Sequence, residues 1–461
     1  MAANGYEVIP SAKRLIRSLR DMGYEFAAAV ADLVDNSIEA RANTVRIHAT
    51  WAGESTHVLI ADNGDGMTAE QLREALRFGS ERDYLDEDLG KFGLGLKTAS
   101  LSQCLRVTVA SRHNVNRADI NAYCWDVAHI EATNRWEILP VRTADLPEKA
   151  RQHLKETTGT VVVWERLDRI LGYKKPDGEV ARKQFMAMCR DLEEHAAMVF
   201  HRFLSGEVRG KRLAIYLNDN KVMPWDPFAR SEEATKKLQA LTFPVDGAAG
   251  KGNIVVEPFV LPHQSKFSSI DAFNRASGPK KWNPQQGFYI YRADRLVQSG
   301  GWSGLRAIDE HRKLSRIAIS FNPKLDEEFK INVPKMRVAL PASVRDDVAK
   351  AIGPAVKLAE EAYRNSERKS GGASGGAPAA APQPARKPAS SDSTLVRPPD
   401  GGAPATTGRN GSSYPGGEGS SSGFSADEVR KVAILLRKVA RPDERDVVNT
   451  VVDRAVLSLE G

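Results

Sequence analysis

Three short clusters between Ala28 and Ser100 constrain this chain more than anything else in it. They are AVADLVDNSIEA (Ala29–Ala40), ADNGDGM (Ala61–Met67) and GKFGLGLKTAS (Gly90–Ser100). In the first, Val30, Leu33, Val34 and Ile38 recur at a helical period, which predicts a helix with one buried side. Asp32 and Asn36 are one turn apart and share a face of that helix. A carboxylate and an amide oxygen so placed suit hard-cation and water chemistry: the amide ligates Mg²⁺ and the carboxylate polarises a water. A capped, solvated helix face is the plain alternative.

The second cluster follows an apolar β run, Thr56–Ala61. Gly64 and Gly66 permit positive φ and close backbone approach. Asp62, at the strand end, is placed to accept a hydrogen bond from an exocyclic amine such as that of adenine. A calcium loop starting at Asp62 would need oxygen ligands at its third and fifth positions and Glu at its twelfth. Those positions hold Gly64, Gly66 and Arg73. The third cluster is neither a P-loop, because Leu96 intervenes before Lys97–Thr98, nor a dinucleotide fingerprint, because Thr98 stands where the last Gly belongs. It reads as a glycine-rich loop feeding a helix over Leu96–Gln103. Amides at that helix start make an anion site, to which Lys97 adds charge.

In this order and spacing the clusters resemble the GHKL ATPases: gyrase B, the ninety-kilodalton heat-shock chaperone, histidine kinases and MutL. RFGS (Arg77–Ser80) and GKFGLGLKTAS look most like the MORC group and its bacterial relatives. The resemblance covers roughly residues 5–360. It implies an α/β fold of α+β sandwich type: a Bergerat-type ATP-binding domain, with a mixed, mainly antiparallel sheet under helices, then a transducer-like α/β domain. It also implies ATP and Mg²⁺ as ligands. Nucleotide contacts carry over to Asn36, Asp62, Gly64, Gly66, Met67, Gly90, Phe92, Gly93, Leu94, Gly95, Leu96, Lys97 and Thr160, with Asn36 on the metal. The family's general base is usually Glu, four residues before the Asn. Here it is Asp32, one methylene shorter, so slow turnover is expected. A lysine on a late loop, matched by Lys335 in FKINVPKMRVALP (Phe329–Pro341), reaches the γ-phosphate in relatives.

The rest of the chain fits around this. Ser11–Asp21 reads as an amphipathic helix capped by Ser11; in relatives this segment often reaches a partner subunit, local packing being the alternative. Asn43–Thr50 and Thr56–Ala61 read as neighbouring strands, and Thr68–Arg77 as a capped helix. Phe78–Leu89 is a lid over the nucleotide or a plain surface loop. Strands follow at Arg106–Ser111, Ala118–Val127 and Gly159–Arg166, then a helix over Glu179–Phe203. The first domain is placed at 1–205 and the transducer-like domain at 206–365. The latter opens with a hairpin around Asn218–Asn220. It continues with strands at Asn253–Leu261, Gly287–Ala293 and Lys313–Asn322 and a helix over Ala342–Arg364. Arg292, Arg295, Arg306, Arg312, Lys313 and Arg316, interleaved with Tyr289, Tyr291 and Trp302, are either a DNA-facing patch or ordinary solvated surface. Residues 366–423 are Gly/Ser/Ala/Pro-rich and read as a disordered linker. Residues 424–461 regain helical periodicity and form a small element for docking or dimerisation, with a protein partner as one use.

Among 461 residues, 41% are hydrophobic and 27% charged, ordinary for a globular protein. No run approaches the roughly 18 apolar residues of a membrane helix. MAANGYEVIP lacks the basic start and apolar core of a secretory signal. Cys104, Cys124 and Cys189 are far apart, odd in number and in no zinc spacing, so reduced thiols and a cytoplasmic protein are expected. The net charge of +7 permits nucleic-acid binding without requiring it.

The expectation is an ATPase whose hydrolysis drives nucleotide-gated dimerisation of its N-terminal domains, acting as a clamp on double-stranded DNA in DNA processing or defence. A nucleotide-dependent chaperone or scaffold is the alternative. A histidine protein kinase is disfavoured: the first histidine is His48, and His195 in EEHAAM lies downstream of the ATP motifs.

Overall fold

The computed structural model describes residues 9–21, 23–79, 95–116, 119–173, 175–331 and 338–371. Met1–Ala377 make one compact unit. The linker over 366–423 lies outside the described residues except for its helical start, and the helical element over 424–461 lies outside them altogether.

The first part begins with α1 (Ala12–Arg20) and α2 (Phe26–Glu39). Then come β1 (Thr44–Thr50), β2 (His57–Asp62), α3 (Ala69–Leu76) and α4 (Gly95–Leu101). β3 (Arg106–Arg112), β4 (Asn121–Asp126), α5 (Val127–Thr133), β5 (Leu139–Pro140), α6 (Glu148–Glu156) and β6 (Gly159–Glu165) follow. α7 (Glu179–Val199), α8 (His201–Leu204), β7 (Ala214–Leu217) and β8 (Asn220–Lys221) close it. The eight strands form one sheet in the order β5-β4-β3-β6-β2-β1-β7-β8. Pairings are antiparallel except β1 with β7. This is the mixed, mainly antiparallel sheet expected.

The sheet is covered on both sides, which explains the continuous apolar runs in its central strands. On β2, Val58 and Ile60 face the large core with α2 and α7, while Leu59 and Ala61 face a smaller one built on Ala150 and Leu154 of α6. On β6, Val162 and Trp164 take the first side, Val161 and Val163 the second. α5 and α6 had no counterpart in the sequence reading, and the strand over Ala118–Val127 is shortened because α5 begins at Val127, with the Asp126 carboxylate capping it.

Local signals placed the other termini well. The Ser11 hydroxyl accepts from the Arg14 amide, and Thr68 and Gln71 close a reciprocal capping box at α3. The long helix over Glu179–Phe203 instead breaks at Phe200 into α7 and α8.

The second sheet uses β9 (Lys236–Lys237), β10 (Leu241–Gly247) and β11 (Gly250–Val260), then α9 (Ile270–Ala276). β12 (Gly287–Arg292), β13 (Arg295–Ser299) and β14 (Ser315–Phe321) complete it in the order β10-β11-β14-β12-β13, with β9 on β11. α10 (Arg345–Ala351) and α11 (Gly353–Gly371) replace the single helix expected over Ala342–Arg364; the break falls just before Pro354, whose ring removes the amide an unbroken helix would need. One correction concerns the hairpin at Asn218–Asn220. Its strands extend the first sheet past residue 205, because β7 runs parallel to β1 with Ile215 and Leu217 in the first core.

The sheets are tied together around α8. His201 Nε2 lies 2.8 Å from Tyr291 Oη. Arg202 donates to Asp294 at 2.9 Å and Ser320 at 3.1 Å while stacking 3.6 Å above the Tyr291 ring.

Most of the arginine and aromatic set of the second sheet does not face solvent. Arg292, Arg295, Arg316, Tyr289, Tyr291 and Trp302 are all buried. Arg292 makes a two-point ion pair with Asp326, Arg295 pairs with Asp35, and Arg316 donates to the carbonyls of Pro227 and Ala276. Buried cations keep their charge only with such partners. Of the remainder, Arg312 pairs with Glu360 and Lys313 with Glu310.

Candidate functional site

α2 is the hub. It is buried almost all round rather than on one side, packed between the sheet, α4 and α7. The face carrying Asp32 and Asn36 opens toward two other clusters. Ser37 Oγ donates to Asp62 Oδ2 at 3.2 Å, joining α2 to the end of β2. A Cβ on Gly95, where α4 begins, would sit 3.7 Å from Asp32 Oδ2, so the same helix meets the exit of the glycine loop.

Asp62 is 7% exposed and rigidly held. Its Oδ1 accepts from the Gly64 amide at 2.9 Å and the Thr160 amide at 3.2 Å. Burial raises its pKa; those two hydrogen bonds and the one from Ser37 work against that rise. Gly64 and Gly66 are required where they stand. A Cβ on Gly64 would lie 2.5 Å from the Ala40 carbonyl oxygen. Gly66 has φ +65°, and its Cβ would fall 2.0 Å from the Arg112 carbonyl oxygen. The Met67 amide donates to Ser111 Oγ at 2.8 Å, and the Ser111 and Thr160 hydroxyls are 3.0 Å apart. The second cluster, β3 and β6 thus meet through Ser111, which the sequence reading missed. Its one signal was a hydroxyl near the end of an apolar strand.

Asp32 is 3% exposed. Its Oδ2 accepts from Tyr24 Oη at 3.0 Å, and an Arg295 guanidinium nitrogen lies 3.9 Å from Oδ1. Burial and the neighbouring Asp32 charge push the Tyr24 hydroxyl well above its ordinary value, so it stays a donor. Asn36 is half-buried, and its side-chain nitrogen is enclosed with no hydrogen-bond partner. The two ends of an amide are interchangeable by rotation. That enclosed polar end therefore fits a ligand such as Mg²⁺ or a water bound to it.

Lys97 lies at the start of α4. It is 3% exposed, and its amine donates to the carbonyls of Ala75 at 3.0 Å and Arg77 at 2.6 Å, with the Phe78 ring 5.8 Å away. A buried ammonium needs acceptors, and the end of α3 supplies carbonyls with no partner inside the helix. Burial lowers its pKa to about 8. Leu96 is half-buried in α4 against the main core. Gly90, Phe92, Gly93, Leu94, Lys335 and the lid after Gly79 lie outside the described residues.

A family model described as histidine kinase-, DNA gyrase B- and HSP90-like ATPase matches residues 24–160. The matched span runs from Tyr24 to Thr160 and holds every contact just described except that of Arg295. Over these residues the chain is similar to a GHKL ATPase domain. The GHKL domain is an ATP-binding module, and Asp32, Asn36, Asp62 and Thr160 all fall within it. The chain is also similar to Protein MICRORCHIDIA 6 of Arabidopsis thaliana, at 33% identity over 94 residues, 19% of this chain and 14% of that protein. The chain therefore matches only a small part of that relative, in keeping with a MORC-like GHKL domain.

Cys104, Cys124 and Cys189 are free, buried thiols. Among the described residues no helix is long and apolar enough to cross a membrane.

Proposed function

We propose that this protein hydrolyses ATP to ADP and phosphate at the α2 site, and that nucleotide binding drives pairing of two N-terminal domains into a clamp on double-stranded DNA. The observation that carries the ATPase reading is that one helix touches both other clusters: Ser37 meets Asp62 and Asp32 meets Gly95.

Asp62 recognises the adenine amine through Oδ2, with Thr160 beside it. Asn36 would hold Mg²⁺, which supplies charge neutralisation on the phosphates when bound. Asp32 takes the proton of the attacking water. Glycine-loop amides from Gly90 to Gly95 hold phosphate oxygens, while Lys97 anchors the end of α3. Lys335 binds the γ-phosphate and couples the domains. Moving a two-state equilibrium from mostly open to mostly closed needs about 5.5 kcal/mol of differential binding. A single charge-assisted lysine contact supplies about 1.5–3 kcal/mol. Lid ordering and dimer contacts must provide the remainder.

The DNA reading is supported by the MORC likeness and the net positive charge, and it does not use the buried arginines of the second sheet. The deciding experiment is ATP turnover with and without double-stranded DNA at two salt concentrations. Stimulation that fades with salt is expected. Turnover indifferent to DNA replaces the clamp by a chaperone or scaffold with a protein client, and absence of Mg²⁺-dependent turnover removes the ATPase reading.

A further inference from the structure

We propose that Tyr24 and Arg295 are positioning residues for Asp32, and that through Arg295 the second sheet sets the orientation of the carboxylate that activates water. This rests on the ATPase reading above and adds which groups aim its base.

The geometry has two halves. From the first domain, Tyr24 Oη donates to Asp32 Oδ2 at 3.0 Å, with both residues buried. From the second sheet, Arg295 opens β13 and reaches across to α2. Its Nε lies 2.9 Å from Asp35 Oδ1 and 2.8 Å from Oδ2, and its terminal nitrogen lies 3.9 Å from Asp32 Oδ1. The side chains of Arg295, Asp32 and Asp35 are 4%, 3% and 0% exposed. Asp32 and Asp35 are three residues apart on one helix, so one planar guanidinium can span both, which a lysine point charge cannot. The Asp32 carboxylate is thus addressed on one oxygen by Tyr24 and on the other by Arg295.

An aspartate base makes this matter. Asp is one methylene shorter than Glu, so its reach depends on how it is aimed, and a misplacement of about 1 Å costs on the order of 10²-fold in rate. Arg295 also pairs in register with Arg292 across the β12–β13 turn, and Arg292 is locked to Asp326. Movement of this sheet relative to α2 therefore moves the guanidinium beside Asp32.

The test uses the full chain and three variants. Tyr24→Phe removes one hydroxyl and keeps the packing. Arg295→Lys keeps a charge near both carboxylates but loses the fork. Asp32→Asn reports on the base itself. Turnover number, KM, ATP affinity by calorimetry and melting temperature are measured for each. The expected result is a loss of turnover of roughly 10-fold or more for Tyr24→Phe and for Arg295→Lys, toward the ~10²-fold of a misaimed group. KM and ATP affinity should stay within about twofold, and Tyr24→Phe should melt like the wild type. Turnover within about twofold of wild type in both overturns the inference, as does a loss that follows KM or stability instead. If Asp32→Asn turns over like wild type, Asp32 is not the base and the inference falls with that role while the ATPase reading stands; a wild type that binds ATP without hydrolysing it removes the ATPase reading itself. A silent Asp32→Asn variant beside fully active Tyr24→Phe and Arg295→Lys variants sinks the positioning role alone.

Discussion

Changing Asp62 to Asn tests base recognition without disturbing the pocket's frame. Two amide donors, Gly64 and Thr160, point at Oδ1 at 2.9 and 3.2 Å, so the Asn side chain must place its carbonyl there. Its NH₂ then occupies the Oδ2 position. Ser37 Oγ lies 3.2 Å from that position and 3.1 Å from the Leu33 carbonyl, so it can give its proton to Leu33 and accept from the new NH₂. Every buried group keeps a partner, and the stability change should stay below about 1 kcal/mol. Toward adenine the change is a reversal, since two donors now face each other. Losing a charge-assisted hydrogen bond costs about 1.5–3 kcal/mol, which weakens ATP binding roughly 10- to 150-fold. Guanine presents a carbonyl oxygen at that ring position, so GTP should gain on ATP. Calorimetric titration of both nucleotides, with melting curves to verify the fold, reads the outcome. An ATP affinity within twofold of wild type in a folded Asp62→Asn protein refutes the assignment of Asp62 to the purine.

Asn36→Ala should abolish Mg²⁺-dependent ATP binding in the same calorimeter, and near-normal affinity removes Asn36 from the metal. Lys335→Ala should bind ATP yet fail to dimerise with it, as read by light scattering. Arg292→Ala removes the two-point partner of the Asp326 carboxylate, held at 2.7 and 2.8 Å with both side chains under 5% exposed, and should cost about 3–5 kcal/mol in urea unfolding; Arg292→Met with Asp326→Leu should recover most of it. Burial lowers the pKa of His201 from 6.5 to about 4. The unfolded chain then binds the extra proton across that window, so stability present above pH 6.5 is lost as pH falls toward 4. His201→Gln should flatten the fall in melting temperature between pH 7.5 and 5.

Much of the site was legible because its parts are local. Helical spacing put Asp32 and Asn36 on one face, Gly64 and Gly66 marked backbone that tolerates no Cβ, and Asp62 closed a strand of apolar residues. β2 and β6 were recognisable because a strand buried on both faces must be apolar throughout. Ser111, Tyr24 and the Asp35–Arg295 pair were not legible, since each matters only through a partner that no periodicity reports.

The amino-acid order alone determined where helices are capped, which strands are apolar, and which polar groups accompany the glycines of an ATP domain; these are choices of a residue and its near neighbours. Only the tertiary structure decided which way the charges face. Arg292, Arg295 and Arg316 lie inside because acceptors 34, 260 and 40 or more residues away along the chain close over them. Lys97 turned to the end of α3 for the same reason, its acceptors Ala75 and Arg77 lying 22 and 20 residues away along the chain. The side on which a charged residue settles is fixed by the free energy of its pairing, and its partner is known only once the chain has folded.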